Sequence, residues 1–262
     1  MHLTFHRFAL PKAGNDANDY EDAMFPPLHA PMTRRMRRRS LARVAIADGA
    51  TESSFARLWA ELLVEGYGTG HLSPSKLEQD LPALQGEWLR QVSVRPLPWY
   101  AEEKVRDGAF SAWLGLEVRD LPRGGRWRAF AVGDSCVCQM RAGTLLASFP
   151  MDSAADFTSR PFLVGSQPQH NARVAQALRT VHGQWEDGDQ FVLMTDALAA
   201  WFLAAHAAGE QPMQTLEGFT MTDGSDGFAA WVTELRAARQ MRNDDTTLVR
   251  VVVTRDRTAP AA

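Results

Sequence analysis

At four places along the chain an acidic residue stands at the edge of a short apolar run: Glu21 and Asp22 in GNDANDYEDAMF, Asp48 in LARVAIADGATESS, Asp196 in QFVLMTDALAAW and Asp244 in RNDDTTLVRVVV. Hard divalent cations such as Mg²⁺ and Mn²⁺ take oxygen ligands and little else. Carboxylates carried from distant positions to one end of a β-scaffold meet that need, and the pattern implies metal-assisted phosphoryl transfer. Each place alone has a plainer reading. Asp48 with Gly49 reads as a turn, Asp196 as the start of a helix, and the pair Asp244 and Asp245 as a polar turn before the last strand. Their joint order is what points to a metal.

The elements that must position these residues follow from periodicity. Residues 1 to 9 alternate as an edge strand, and LARVAIAD reads as a buried strand ending in Asp-Gly. From Ser53 the period becomes 3.6, with Phe55, Leu58, Trp59, Leu62 and Leu63 on one face and Ser53 or Ser54 as the cap. Further helices are predicted near Leu84 to Val92, over Tyr100 to Leu114, and over Arg173 to Val181. The stretch RGGRWRAFAVGDSCVCQMRAGTLLASF reads as two or three antiparallel strands joined by Gly-bearing turns. QFVLMTD is a buried strand, ALAAWFLAAHAA and GFAAWVTELRAARQM are helices, and TLVRVVVTR is the closing strand.

Composition narrows the class without choosing it. A chain of 262 residues, 45% hydrophobic, can bury one large core, which predicts a single domain over residues 1 to 255 and a short tail, 256 to 262. A net charge of −3 gives no global positive field to recruit nucleic acid or an anionic membrane. The two cysteines, Cys136 and Cys138, share one face of a strand, a poor geometry for pairing with each other, so reduced thiols are expected. MHLTFHRFALPKAG lacks the apolar core of a signal peptide, and ALAAWFLAAHAA is too short to span a bilayer; a cytoplasmic location is expected. The seven histidines show no ligand spacing, and MTDGSDG, residues 221 to 227, lacks the downstream Glu of a calcium loop. Trp59, Trp113, Trp201 and Trp231 are expected to pack helices onto sheets.

EDA at Glu21 to Ala23, VAIADGA followed by a helix, FAVGDS, FVLMTDALAAW and NDDTTLVRVVV together resemble, in order and spacing, the metal-dependent protein phosphatases of type 2C, the PPM family, in a divergent, bacterial-like form. The resemblance runs from about Asn15 to Val253. It implies an α+β fold, a four-layer α-β-β-α sandwich of two antiparallel sheets flanked by helices. It also implies two divalent ions, Mn²⁺ or Mg²⁺, a phosphoprotein substrate, and hydrolysis of phosphoserine or phosphothreonine without a covalent enzyme intermediate. By the same resemblance Asp48 is the carboxylate bridging both metals and Gly49 lends its carbonyl to one of them. Glu21 is a ligand of that metal with Asp22 in its shell, Asp196 and Asp244 serve the other, and Asp134 serves a third.

The chain departs from the family where the auxiliary groups stand. Ala50 occupies the place of a His proposed to protonate the leaving group, Ala200 that of a second Asp for the third metal, and Cys136 that of an Arg. Ala17 and its neighbours lack the phosphate-binding Arg. Candidates to replace it are Arg7, Lys12, Arg242 and the run Arg34, Arg35, Arg37, Arg38 and Arg39, although a strand of this length carries Arg34 to the end opposite Asp48. The alternative is a pseudophosphatase, a phosphoprotein-binding regulator with the same fold; a phosphatase of small molecules is a third reading.

Overall fold

The computed structural model describes residues 1–36, 40–50, 55–94, 99–121, 124–157, 160–219 and 226–255. Within them lie twelve strands and seven helices. One sheet carries β1 (His2–Leu10), β3 (Thr33–Arg35), β7 (Cys136–Arg141), β8 (Thr144–Phe149), β11 (Gln190–Met194) and β12 (Thr246–Thr254) in the order β3-β1-β12-β11-β7-β8. The other carries β2 (Ala23–Phe25), β4 (Leu41–Gly49), β5 (Phe110–Leu121), β6 (Gly124–Val132) and β10 (Arg179–Trp185) in the order β10-β6-β5-β4-β2, with β9 (Val164–Gly165) pairing β5. All pairings are antiparallel.

Strand alternation builds the layers. On β4, Val44 and Ile46 point between the sheets while Ala45 and Ala47 point out to the helices. On β11, Phe191 and Leu193 face inward, and Val192 and Met194 outward. Both faces of each strand are thus buried, which is why these strands read as continuous apolar runs. Helices α1 (Ala56–Thr69), α2 (Leu77–Val92) and α4 (Val174–Ala177) cover the β4-β5 face through Trp59, Leu63, Tyr67, Leu84, Trp88 and Val174. Helices α5 (Asp196–Ala207), α6 (Pro212–Glu217) and α7 (Asp226–Ala237) cover the β11-β12 face through Leu198, Phe202, Met213, Leu216, Phe228 and Val232. The expected α+β sandwich is therefore present. Trp59 of α1 and Trp113 of β5 are fully buried between helix and sheet, and Trp201 meets Trp231 edge to face at 4.8 Å, joining α5 to α7.

Several elements differ from the sequence expectation. The helix expected over Tyr100 to Leu114 is α3 (Trp99–Asp107) only; Gly108, at φ +81°, ends it, and residues 110–121 form β5. β5 lies at the centre of its sheet, so both its faces are apolar and alternation is lost. The helix expected over Arg173 to Val181 shrinks to α4, and Arg179 onward pairs with β6 as β10. α2 starts at Leu77 rather than near Leu84 and contains Pro82, which reads locally as a turn but is carried by burial of Leu81, Leu84 and Trp88. β1 is not an edge strand, because three-residue β3 flanks it. β6 and β7 belong to different sheets, with the Gly133-Asp134 turn crossing between them. Ser53, Ser54, Arg37, Arg38, Arg39 and most of MTDGSDG lie outside the described residues.

Candidate functional site

Strand direction brings the carboxylates to one end of the sandwich. Asp48 is the penultimate residue of β4, and its backbone carbonyl accepts a hydrogen bond from Ser111 Oγ at 2.9 Å. β2 runs antiparallel to β4 with Ala23 opposite Ala47, so Asp22, just before β2, arrives beside Asp48. In the facing sheet Met194, the last residue of β11, pairs with Leu248 near the start of β12 and with Cys136 at the start of β7. Asp196, Asp244 and Asp134 stand just beyond those three strand ends. Charges from Asp22, Asp196, Asp134 and Asp244 all bear on Asp48.

A second set of contacts fixes the loop that delivers Glu21 and Asp22. The Asp245 carboxylate accepts from Lys12 N (2.8 Å) and Glu21 N (2.6 Å), while Asn243 Oδ1 accepts from Ala13 N (2.7 Å). Thr247 Oγ1 donates to Asp22 Oδ2 at 2.6 Å, so the neighbouring Tyr20 hydroxyl must donate to Thr247 Oγ1. Thr195 Oγ1 accepts from Thr247 N at 2.9 Å, locking the end of β11 to the start of β12. Arg57 on α1 donates to Ala17 O at 3.1 Å. Asp245, Tyr20, Thr195, Thr247 and Arg57 were not singled out from sequence; only Asp245 carried a signal there, as the neighbour of Asp244.

Electrostatics set this end apart. Burial pushes the Asp48 carboxyl well above the usual carboxylate range, and the negative charges around it push further. Asp22 is likewise raised well above that range by burial, with Asp245 and Asp196 adding to the shift and hydrogen bonds from Thr247 and Thr195 opposing it. Asp196 is raised by burial and by Asp244, against the pull of Arg242, whose Nη2 donates to Asp196 Oδ2. Asp22 Oδ1 and Asp196 Oδ1 are buried without a hydrogen-bond partner. Buried like charges with orphaned oxygens fit a cation's donor set. Among the described residues, however, no three His, Cys, Asp or Glu side chains stand close enough to form a ready-made cage. Asp22 is buried, whereas Glu21 is half-buried at the rim beside Lys12 and Asn15.

Solved structures share this arrangement of sheets and helices over nearly the whole chain. The serine/threonine phosphatase PstP/Ppp of Mycobacterium tuberculosis superposes with a TM-score of 0.56 at 16% identity, covering 97% of this chain and 100% of that one. The chain has the type 2C phosphatase fold. A bacterial serine phosphatase gives 0.57 at 12% identity over 97% of this chain and 99% of that one. The catalytic domain of PstP in complex with two manganese ions gives 0.54 at 18% identity over 97% and 100%. No family model matches the sequence, and no curated protein matches it.

Against the type 2C fold, the substituted positions acquire physical settings. Ala50 follows Gly49 at the end of β4 and its N–H donates to Phe110 O at 2.9 Å. Ala200 lies one turn into α5 from Asp196. Cys136 and Cys138 are buried free thiols; burial raises the first well above its usual value and pushes the second up to about 12, so neither is a ready nucleophile. Arg7 is buried and donates to the carbonyls of Pro27, Ala30 and Pro31, which makes it a structural tie. Arg34 and Arg35 pair with Leu3 and His2, the latter opposite Thr254 at the far end of β12 from Asp244, as strand length requires. No helix among the described residues is long and apolar enough to cross a membrane.

Burial, then Asp196, pushes the Asp134 carboxyl from 3.8 to about 7. A carboxyl whose pKa is higher folded than unfolded binds more protons in the folded state, so ionisation costs stability as pH rises from the unfolded value through about 7. Without divalent metal, the thermal midpoint is expected to fall between about pH 5 and about pH 8, and Asp134→Asn to reduce that fall. A midpoint that rises over the interval for wild type contradicts the assignment.

Proposed function

We propose that this chain is a type 2C protein phosphatase, acting as a single domain over residues 1–255, that hydrolyses phosphoserine or phosphothreonine in proteins. The observation that carries the reading is the convergence of Asp22, Asp48, Asp134, Asp196 and Asp244 from both sheets onto one end, where burial and mutual repulsion hold Asp48 far from its ordinary acidity. Asp48, the Gly49 carbonyl, Asp22 and Glu21 would hold one divalent ion, with Asp48 shared to a second held by Asp196 and Asp244. Such a pair, Mn²⁺ or Mg²⁺, supplies a nucleophilic water at neutral pH and neutralises phosphate oxygens during in-line displacement.

The chain's own groups prepare the site. Asp245 fixes the Glu21 backbone, and the Tyr20-Thr247 relay fixes the Asp22 rotamer, so the carboxylates are presented without loop rearrangement. Beside Asp22 an open cleft of about 650 Å³, lined by Tyr20, Phe25, Leu28, Arg57, Val64 and Glu65 among others, runs along α1. Its mixture of apolar floor and charged wall suits an extended polypeptide next to a phosphorylated side chain. With Ala50 at the place of the leaving-group acid, the departing serine or threonine oxygen takes its proton from solvent.

Two observations favour the pseudophosphatase: Arg242 is paired with Asp196, and among the described residues the acids do not form a closed cage. Hydrolysis of p-nitrophenyl phosphate and of a phosphothreonine peptide separates the two. Turnover that requires Mn²⁺ or Mg²⁺ and stops on chelation supports the enzyme. Absence of turnover with any divalent ion, together with phosphoprotein binding, supports the regulator.

A further inference from the structure

Arg242 is the cation that the fold sets against the carboxylates. Its guanidinium bonds Asp196, its charge also acts on Asp244 and Asp134, and half of the side chain is exposed, at 50%. Two neighbouring arginines are engaged elsewhere. Arg57 donates to Glu61 at 2.9 Å and to Ala17 O, and Arg236 donates to Pro11 O, Asp244 O and Thr246 Oγ1. Those are ties to backbone carbonyls and a threonine hydroxyl, and a helix pair; Arg242 ends on a carboxylate at the solvent boundary of the acidic end.

Resting on the phosphatase reading above, we propose that Arg242 is the substrate's phosphate-binding residue, held at the mouth of the acidic end by Asp196. A guanidinium presents a planar fork of donors that matches two oxygens of a phosphate as well as those of a carboxylate. Asp196 Oδ1 is left open beside the oxygen that Arg242 holds, so a divalent ion on Oδ1 competes with the guanidinium for the same carboxylate charge and loosens its hold. Release from Asp196 leaves the guanidinium within a side-chain's reach of the site mouth, where the phosphate of a bound substrate brings a new anion. Arg242 thereby supplies, from the loop before β12, a phosphate-facing charge that residues 15–19 do not themselves carry.

The test uses the full chain with inorganic phosphate as the probe. In protein saturated with Mn²⁺, R242A is expected to weaken inhibition by inorganic phosphate at least about tenfold and to raise KM for the phosphothreonine peptide more than it lowers kcat, with R242K recovering part of the loss. In calorimetry without substrate, R242A is expected to bind Mn²⁺ more tightly than wild type, since Asp196 is released. Unchanged phosphate inhibition and KM in R242A, with Mn²⁺ binding intact, overturn the proposal alone. Absence of Asp48-dependent Mn²⁺ binding in wild type overturns the phosphatase reading and this proposal with it.

Discussion

Asp48→Asn is expected to lower kcat for metal-dependent hydrolysis by about 10³-fold or more, because a carboxylate shared by two cations contributes several kcal/mol and each 1.36 kcal/mol is tenfold in rate. The same substitution is expected to stabilise the protein when no divalent metal is present. Asp48 is half-buried and faces the charges of Asp22, Asp196, Asp134 and Asp244; desolvation and these charges disfavour its ionised form in the folded state and raise its pKa. The cost is felt at any pH above the unfolded carboxylate's pKa and vanishes at lower pH, where both states are protonated. A neutral amide of the same shape removes it. Activity assays and thermal unfolding with a chelator, at neutral pH and near pH 3, check both halves. A mutant that keeps wild-type turnover, or that is destabilised without metal at neutral pH, contradicts the assignment.

Gly49→Ala is expected to damage the site by sterics alone. A methyl group at Gly49 falls 2.6 Å from the backbone oxygen of Glu21 and 3.1 Å from the carbonyl carbon of Ala56. Both neighbours are backbone and cannot rotate aside. Either the Tyr20-Asp22 segment or the first turn of α1 must shift, and overpacking of this kind costs about 1–3 kcal/mol. Displacing the Glu21 carbonyl carries Asp22 with it, so metal-dependent turnover is expected to fall at least about tenfold, in line with the sensitivity of catalysis to misplacement on the ångström scale. Urea denaturation and kcat measured together test this. A Gly49→Ala protein of wild-type stability and activity would show that the Gly49-Glu21 approach is not needed.

The elements that hold the acids were legible because their local signals agree. β4 is a short apolar run stopped by Asp-Gly, α5 begins on Asp196 directly after a buried strand, and β12 follows a polar turn. β5 was hidden because burial of Trp113 on one face and of Leu114 and Leu116 on the other erases the period of two. β10 was hidden because Arg179, Thr180 and Gln184 give it little apolar character, and its pairing with β6 decides the outcome instead. Within the site, the positions of Asp48, Asp196 and Asp244 could be read from strand ends. The tie from Asp245 to Glu21 spans 224 residues, and the contact of Arg242 with Asp196 spans 46. No local pattern records such closures.

Calorimetric titration of Mn²⁺ into the chelator-treated protein, side by side with Asp48→Asn, decides whether Asp48 anchors a two-metal centre. Wild type is expected to bind two ions per chain, and Asp48→Asn to lose both binding events because the shared ligand is gone. Wild type that binds no Mn²⁺, or an Asp48→Asn protein that binds it as wild type does, would contradict a two-metal centre built on Asp48.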